Sequence, residues 1–145
     1  MDPRDASLRR VIERIGVLNR EFAARGTYPF KERGLGRSQM NLLFALSRAD
    51  ASSVAELASA LSVTSGAVSQ TVDTLRQAGL VTSEVNPVDR RGRLIRLTEE
   101  ARSEVADFER GYFDEVAPRF DALSTEDVAQ LDRILRAVAD TGRQS

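Results

Sequence analysis

The chain contains no cysteine and no histidine. Without cysteine it has no disulfide, no thiol redox sensor and no cysteine nucleophile. Without histidine it lacks the commonest general base and the commonest zinc ligand. A metal site would need carboxylates alone, and no tight carboxylate cluster with loop spacing occurs, so neither metal nor cofactor is expected. Paired carboxylates in a defined pocket and a phosphate-cradling glycine loop are also missing. The Gly34–Gly36 pair is too short a match for phosphate binding and is explained by a turn. An enzyme is therefore the least favoured class. No run approaches the ~18 apolar residues of a membrane span. The opening MDPRDASLRRVIERIG is charged and lacks the apolar stretch of a signal peptide. A cytoplasmic protein with no membrane partner is expected. Lysine is nearly absent too: Lys31 is the only one, and arginine supplies the rest of the basic charge.

What remains is a chain of 145 residues, 41% hydrophobic and 30% charged, a size for one compact domain or a small domain with helical extensions. Its net charge of -1 argues against a general nucleic-acid binder, but the charge is uneven. Residues 1–34 hold 8 basic and 5 acidic residues, residues 35–98 hold 7 and 5, and residues 99–145 hold 6 and 12. Within 86–97 stand Arg90, Arg91, Arg93 and Arg96 against Asp89 alone. Positive charge is focused on one short turn. A DNA reader needs local cationic potential at the phosphates, not a basic whole.

Periodicity gives the elements. Leu8, Val11, Ile12, Ile15, Leu18 and Phe22 form one stripe on a helix from Ser7 to about Arg25, with Ser7 or Asp5 as cap. The stretch 26–36 holds three glycines and Pro29 and is a connection. Its Tyr28 and Phe30 are expected to pack as a lid on the core. They are also placed to line a small-molecule pocket with Phe44 and Arg25, for an aromatic or anionic effector. Ser38 is the expected cap of a strongly apolar helix to about Ala49. Asp50 to Ser53 is expected as a turn, after which Ser53 and Glu56 have capping-box spacing at a short helix. Thr64 caps the next helix, which buries Val68, Val72 and Leu75 and ends at Gly79. Two short strands follow, around Leu80–Val85 and Leu94–Leu97, joined by the turn-forming 86–92. Thr98 caps a helix ending near Pro118, and Ser124 or Thr125 caps a last helix carrying Val128, Leu131, Ile134, Leu135 and Val138.

Helix, turn, helix and then an arginine-tipped ribbon is the layout of a winged helix-turn-helix. The chain is thus expected to be mainly α with a small β-ribbon wing. Residues 35–100 form the DNA-binding domain, and 1–34 with 101–145 form a helical dimerisation domain. The outer face of the second helix, with Ser65, Gly66, Ala67, Ser69, Gln70 and Thr74, is short and polar. An ordinary solvated helix face favours Glu, Lys, Gln and Arg, which are better helix formers. Gln70 suits a bidentate contact to adenine, Ala67 a thymine methyl, and Ser69 and Thr74 base or phosphate. Ser65 and Gly66 offer free backbone N–H groups to a phosphate, and Ser38 and Thr64 are further candidates for the DNA backbone. On the wing, Arg90, Arg91 and Arg93 suit a narrow minor groove, with Asp89 placed to hold the Arg91 guanidinium. The apolar stripes of the first and last helices are too long for this small domain to cover, which points to a homodimer.

The run ELASALSVTSGAVSQTVDTLRQAGLV followed by NPVDRRGRLIRLTEEA resembles the MarR family of winged-helix transcriptional regulators. The resemblance spans about residues 35–105. Its most specific part is Gly79-Leu80-Val81, then Asp89-Arg90-Arg91, then Leu97-Thr98. It implies a homodimer with interleaved terminal helices and a pseudo-palindromic double-stranded DNA operator. It also implies a repressor, released by a phenolic or other small acid. Asp89 and Arg91 match the family's paired acid and arginine in the wing. Gln70 stands where many members have arginine, and Gly66 where Ser or Thr is common, so the operator preference should differ. The thiol and zinc branches of the family are disfavoured here for want of cysteine and histidine. The rival class is a winged-helix module that binds protein; it would not need the basic wing or the short polar face.

Overall fold

A computed structural model describes residues 2–24, 30 and 33–141. Among them the elements run α1 (Pro3–Ala24), α2 (Arg37–Ser47), β1 (Ser52–Ser53), α3 (Val54–Leu61), α4 (Ser65–Gln77), β2 (Val81–Val85), β3 (Arg93–Leu97), α5 (Glu99–Val116), a 3-10 turn (Ala117–Phe120) and α6 (Thr125–Thr141). The chain divides into two compact units, residues 1–110 and 111–145.

In the first unit α1 begins earlier than its apolar stripe suggests. Asp2 Oδ1 accepts the Arg4 N–H at 2.9 Å, and Pro3 takes the first helical position, where a missing N–H costs no helical bond. Neither Ser7 nor Asp5 is the cap. Leu8, Val11, Ile12, Ile15 and Leu18 are all exposed, Ile12 to 60%. α2 also starts two residues before expectation. Gly36 is its N-cap and the Gln39 side-chain oxygen reaches back to the Gly36 N–H at 2.6 Å. Ser38 therefore lies in the first turn and does not cap it.

The core is built by Leu42, Leu43 and Leu46 of α2, Leu57 of α3, Val68, Val72 and Leu75 of α4, Val81, Ile95 and Leu97 of the sheet, and Ala101 and Val105 of α5. Local chemistry sets each element's ends. Ser53 and Glu56 cap α3 reciprocally, at 3.1 and 3.0 Å. Ser62 turns the chain in a left-handed conformation (φ 55°), and Thr64 Oγ1 accepts the Ala67 N–H at 3.1 Å to start α4. Gly79, at φ +74°, ends that corner in a region that favours glycine.

The sheet order is β1-β3-β2, all antiparallel. Val81 pairs with Leu97 and Val85 with Arg93. The ribbon expected as two strands thus gains a third, because Ser52 and Ser53 pair with Ile95 and Leu94 where a turn was expected. Thr98 Oγ1 accepts the Ala101 N–H at 3.3 Å and caps α5. Phe30 is 3% exposed and belongs to the core, as the lid expectation has it. Phe44 is half-buried and stacks obliquely on Phe108, with centroids 5.6 Å apart.

In the second unit, Pro118 lies in the 3-10 turn after α5, where the sequence places that helix's end. Ser124 caps α6: its Oγ accepts the Asp127 N–H, and Asp127 Oδ2 accepts from both the N–H and the hydroxyl of Ser124. Those bonds hold the Asp127 carboxyl below the ordinary aspartate range. Its contribution is present above the unfolded-state value and is lost as pH falls through the lower folded-state value. Val128, Ile134, Leu135 and Val138 of α6 are all exposed. Among the described residues no helix is long and apolar enough to cross a membrane.

Leu75 is wholly buried while Gln77 two residues on is exposed. Leu75→Ala should lower the unfolding free energy by about 2–5 kcal/mol, and Gln77→Ala should change it by no more than ~0.5 kcal/mol. Denaturant titration followed by circular dichroism measures both.

Candidate nucleic-acid interface

Burial of Val68, Val72 and Leu75 fixes the rotation of α4. The face left outside carries Ser65, Gly66, Ala67, Ser69, Gln70 and Thr74, all exposed. Six residues named from periodicity alone are therefore brought together on one accessible surface. Three internal hydrogen bonds shape it. Thr74 Oγ1 donates to the Gln70 carbonyl at 3.2 Å, and Thr71 Oγ1 to the Ala67 carbonyl at 3.0 Å, so both hydroxyl protons are used within the helix. Thr64 Oγ1 takes the Ala67 N–H, leaving the N–H groups of Ser65 and Gly66 as the outward donors of the first turn. The Gln70 side chain forms no hydrogen bond with the described residues, so its amide is available on both its donor and acceptor sides.

The turn 86–92 joining β2 to β3 is closed by four hydrogen bonds. Asn86 N–H meets the Gly92 carbonyl and Gly92 N–H meets the Asp89 carbonyl, both at 3.0 Å. Asn86 Oδ1 accepts the Val88 N–H at 3.0 Å, and Asp89 Oδ1 accepts the Arg91 N–H at 3.1 Å. The last of these corrects the expected role of Asp89. It bonds the backbone of Arg91 rather than its guanidinium. An Asp carboxylate accepts from the N–H two residues on at little conformational cost, whereas gripping a long guanidinium costs side-chain entropy. Asp89 therefore shapes the tip, and the Arg91 guanidinium is left exposed.

Arg93 differs from its neighbours. Its Nε donates to Ser83 Oγ at 2.9 Å and its Nη2 to the Ser83 carbonyl at 2.6 Å, which pins the side chain across the ribbon. It opens β3 and does not join Arg90 and Arg91 at the tip. Arg96 is likewise held, by Glu84 at 2.8 Å. Of the four arginines in 86–97, Arg90 and Arg91 alone form no side-chain hydrogen bond or ion pair with the described residues. Sequence reasoning had no signal for the Ser83–Arg93 bond, which depends on strand register.

Two hollows flank α4. One of about 330 Å³ lies between α4 and the sheet, with Ser69, Asp73 and Arg76 on one side and Ser83, Arg93 and Ile95 on the other. The second, about 100 Å³, has Ser38 and Asn41 of α2 with Ala67 and Thr71 of α4. Ser38 is exposed there, beside the start of α4. Neither hollow is lined by Phe30 or Phe44. Arg25 and Tyr28, the other two residues expected at an effector pocket, lie outside the described residues.

A family model described as MarR family matches residues 33–92. AbsC, a MarR family transcriptional regulator from Streptomyces coelicolor, superposes with a TM-score of 0.72 at 25% identity, covering 100% of this chain and 97% of its own. FabT of Streptococcus pneumoniae, in complex with DNA, gives 0.73 at 19% identity, covering 94% and 98%. MarR of E. coli in its apo form gives 0.62 at 24% identity, covering 87% and 94%. No curated protein matches by sequence. The family model lies over the helix-turn-helix and wing, and the same fold extends along the chain: residues 33–92 are similar to the MarR family, and the whole chain shares the winged helix-turn-helix fold of a MarR family transcriptional regulator.

Proposed function

We propose that the protein is a homodimeric, sequence-specific DNA-binding repressor that reads a pseudo-palindromic operator with α4 and the wing. The observation that carries this is the joint exposure of a short polar helix face and two unpartnered arginines on a hydrogen-bonded tip. A helix with small outward side chains fits the major groove, and exposed guanidinium groups suit the narrow, negatively charged minor groove beside it. FabT in complex with DNA and an E. coli MarR variant with operator DNA share the fold, at TM-scores of 0.73 and 0.61. In the proposed complex Gln70 contacts a base edge. Ser65, Gly66, Ser69 and Thr74 contact base or phosphate, Ala67 meets a thymine methyl, and Ser38 and Thr64 approach the backbone at the helix starts. Arg90 and Arg91 enter the minor groove, while Asp89 and Arg93 hold the wing that presents them.

Dimerisation is supported by the apolar stripes. Those of α1 and α6 are each left in solvent by the unit they belong to. Covering them in a second copy contributes ~25 cal/mol for each Å² of apolar surface removed from water. The proposed division is residues 35–100 for DNA and 1–34 with 101–145 for dimerisation. A two-fold dimer sets its recognition helices about 34–36 Å apart, one turn of DNA. Repression follows from operator occupancy, and relief from a small aromatic or anionic ligand. Phe30 is committed to the core, which leaves Phe44, with Arg25 and Tyr28, as the residues to test for that ligand.

On a genomic fragment that the wild type binds, Arg91→Ala should weaken binding about tenfold or more, and the slope of log affinity against log salt should shrink by about 1. Its circular dichroism spectrum should stay unchanged. Equal affinity at fixed salt removes the wing from the interface. Gln70→Ala should lose about 1–3 kcal/mol of discrimination at one base position of each half-site; a binding profile across operator variants matching wild type removes Gln70 as a reader. Sedimentation equilibrium should give twice the chain mass, and Ile12→Asp should shift it toward the single chain. A wild-type mass of one chain contradicts the dimer.

A further inference from the structure

The C-terminal corner of α4 is held by residues from outside it. Three successive carbonyls follow the last turn. That of Leu80 accepts the Thr98 N–H at 3.0 Å, and that of Gly79 accepts the Thr98 hydroxyl at 3.0 Å. The third, on Ala78, accepts Arg33 Nη1 at 3.0 Å. The Arg33 Nη2 also forms an ion pair with Glu100 in the first turn of α5. The backbone around Arg33 is itself anchored. Its N–H donates to the Phe30 carbonyl at 2.8 Å, Phe30 is in the core, and the Phe30 N–H donates to Glu104 Oε1 at 2.8 Å. One guanidinium thus ties together the segment before α2, the end of α4 and the start of α5.

We infer that Arg33 is a positioning residue for DNA binding, holding α4 by its C-terminal end at the angle from which its outer face meets the groove. The inference rests on the reading of α4 as the DNA-contacting helix. A cation at a helix C-terminus bonds a carbonyl the helix itself cannot satisfy and complements the dipole. Thr98 is adjacent to β3 and fixes the carbonyls of Gly79 and Leu80 relative to the sheet; among the described residues, it is Arg33 whose side chain links the corner to the segment before α2. Its planar fork reaches two acceptors at once, which an ammonium group holds less well. Arg33 stands at the far end of α4 from Ser65 and Gly66, so it acts through the helix and not on a phosphate.

Arg33→Ala should bind the wild-type's genomic fragment about tenfold more weakly, in the range of ordinary coupling between sites. Its salt slope should equal that of wild type, in contrast to Arg91→Ala. In the free protein, hydrogen exchange at the Gly79 and Leu80 amides should quicken while that of the α2 core amides does not. Arg33→Lys should recover part of the affinity. Glu100→Gln, which keeps the oxygen acceptor and removes the charge, should show a smaller loss in the same direction. Wild-type affinity in Arg33→Ala overturns the proposal, and so does a salt slope lowered by about 1, which would make Arg33 a phosphate contact. If the wild type binds no DNA, the DNA-binding reading falls, and exchange at Gly79 and Leu80 still decides the clamp: unchanged exchange overturns it.

Discussion

The packing of Val68, Val72 and Leu75 into the core is the constraint on which the rest depends. Three buried side chains at helical spacing leave α4 one rotation about its axis. That rotation decides which residues meet solvent, and so whether Gln70 and Ser69 are outward or lost against α2. Each buried aliphatic side chain contributes on the order of 1.5–3 kcal/mol. The set together outweighs anything the outer face contributes to stability. The outer face is consequently free to carry serine, glycine and threonine, residues a helix would not choose for its own sake. Stability rests on one side of the helix, and the proposed recognition on the other.

The wing shows the same division on a smaller scale. Asn86, Asp89 and Gly92 spend their polar groups on the turn itself, and Ser83 holds Arg93 across the ribbon. What remains without a side-chain partner among the described residues is two guanidinium groups at the tip, Arg90 and Arg91. A rigid tip loses little entropy when its arginines engage a partner, so preorganisation favours binding without adding contacts. In a mildly acidic chain, this places concentrated positive charge at one defined spot.

Much of this was legible in the sequence, for stated physical reasons. The α4 stripe follows from 3.6-residue periodicity, and the caps at Ser53, Thr64, Thr98 and Ser124 follow from side-chain oxygens placed to accept a first-turn N–H. Gly79 announced its left-handed turn. Other features were hidden because their cause is not local. Ser52 and Ser53 have no strand propensity and become β1 only because β3 offers its free edge. Gly36 displaced Ser38 as a cap because Gln39 reaches back to it. Asp89 was rightly placed beside Arg91, yet bonds its backbone. The bond from Ser83 to Arg93 depends on register, and Arg33 reaches a helix forty-five residues away in the sequence. Spacing tells which face a residue occupies, and it does not tell which distant carbonyl a flexible side chain will find.

The central claim is that two copies of this chain read DNA symmetrically. Selection of bound fragments from a genomic library, with sequencing and footprinting of those retained, tests it most directly. The account predicts enrichment of an inverted repeat whose half-sites lie about 10 base pairs apart, centre to centre, each protected over its major groove. Retention of no fragment above background, or of a single half-site with no inverted partner, would contradict it.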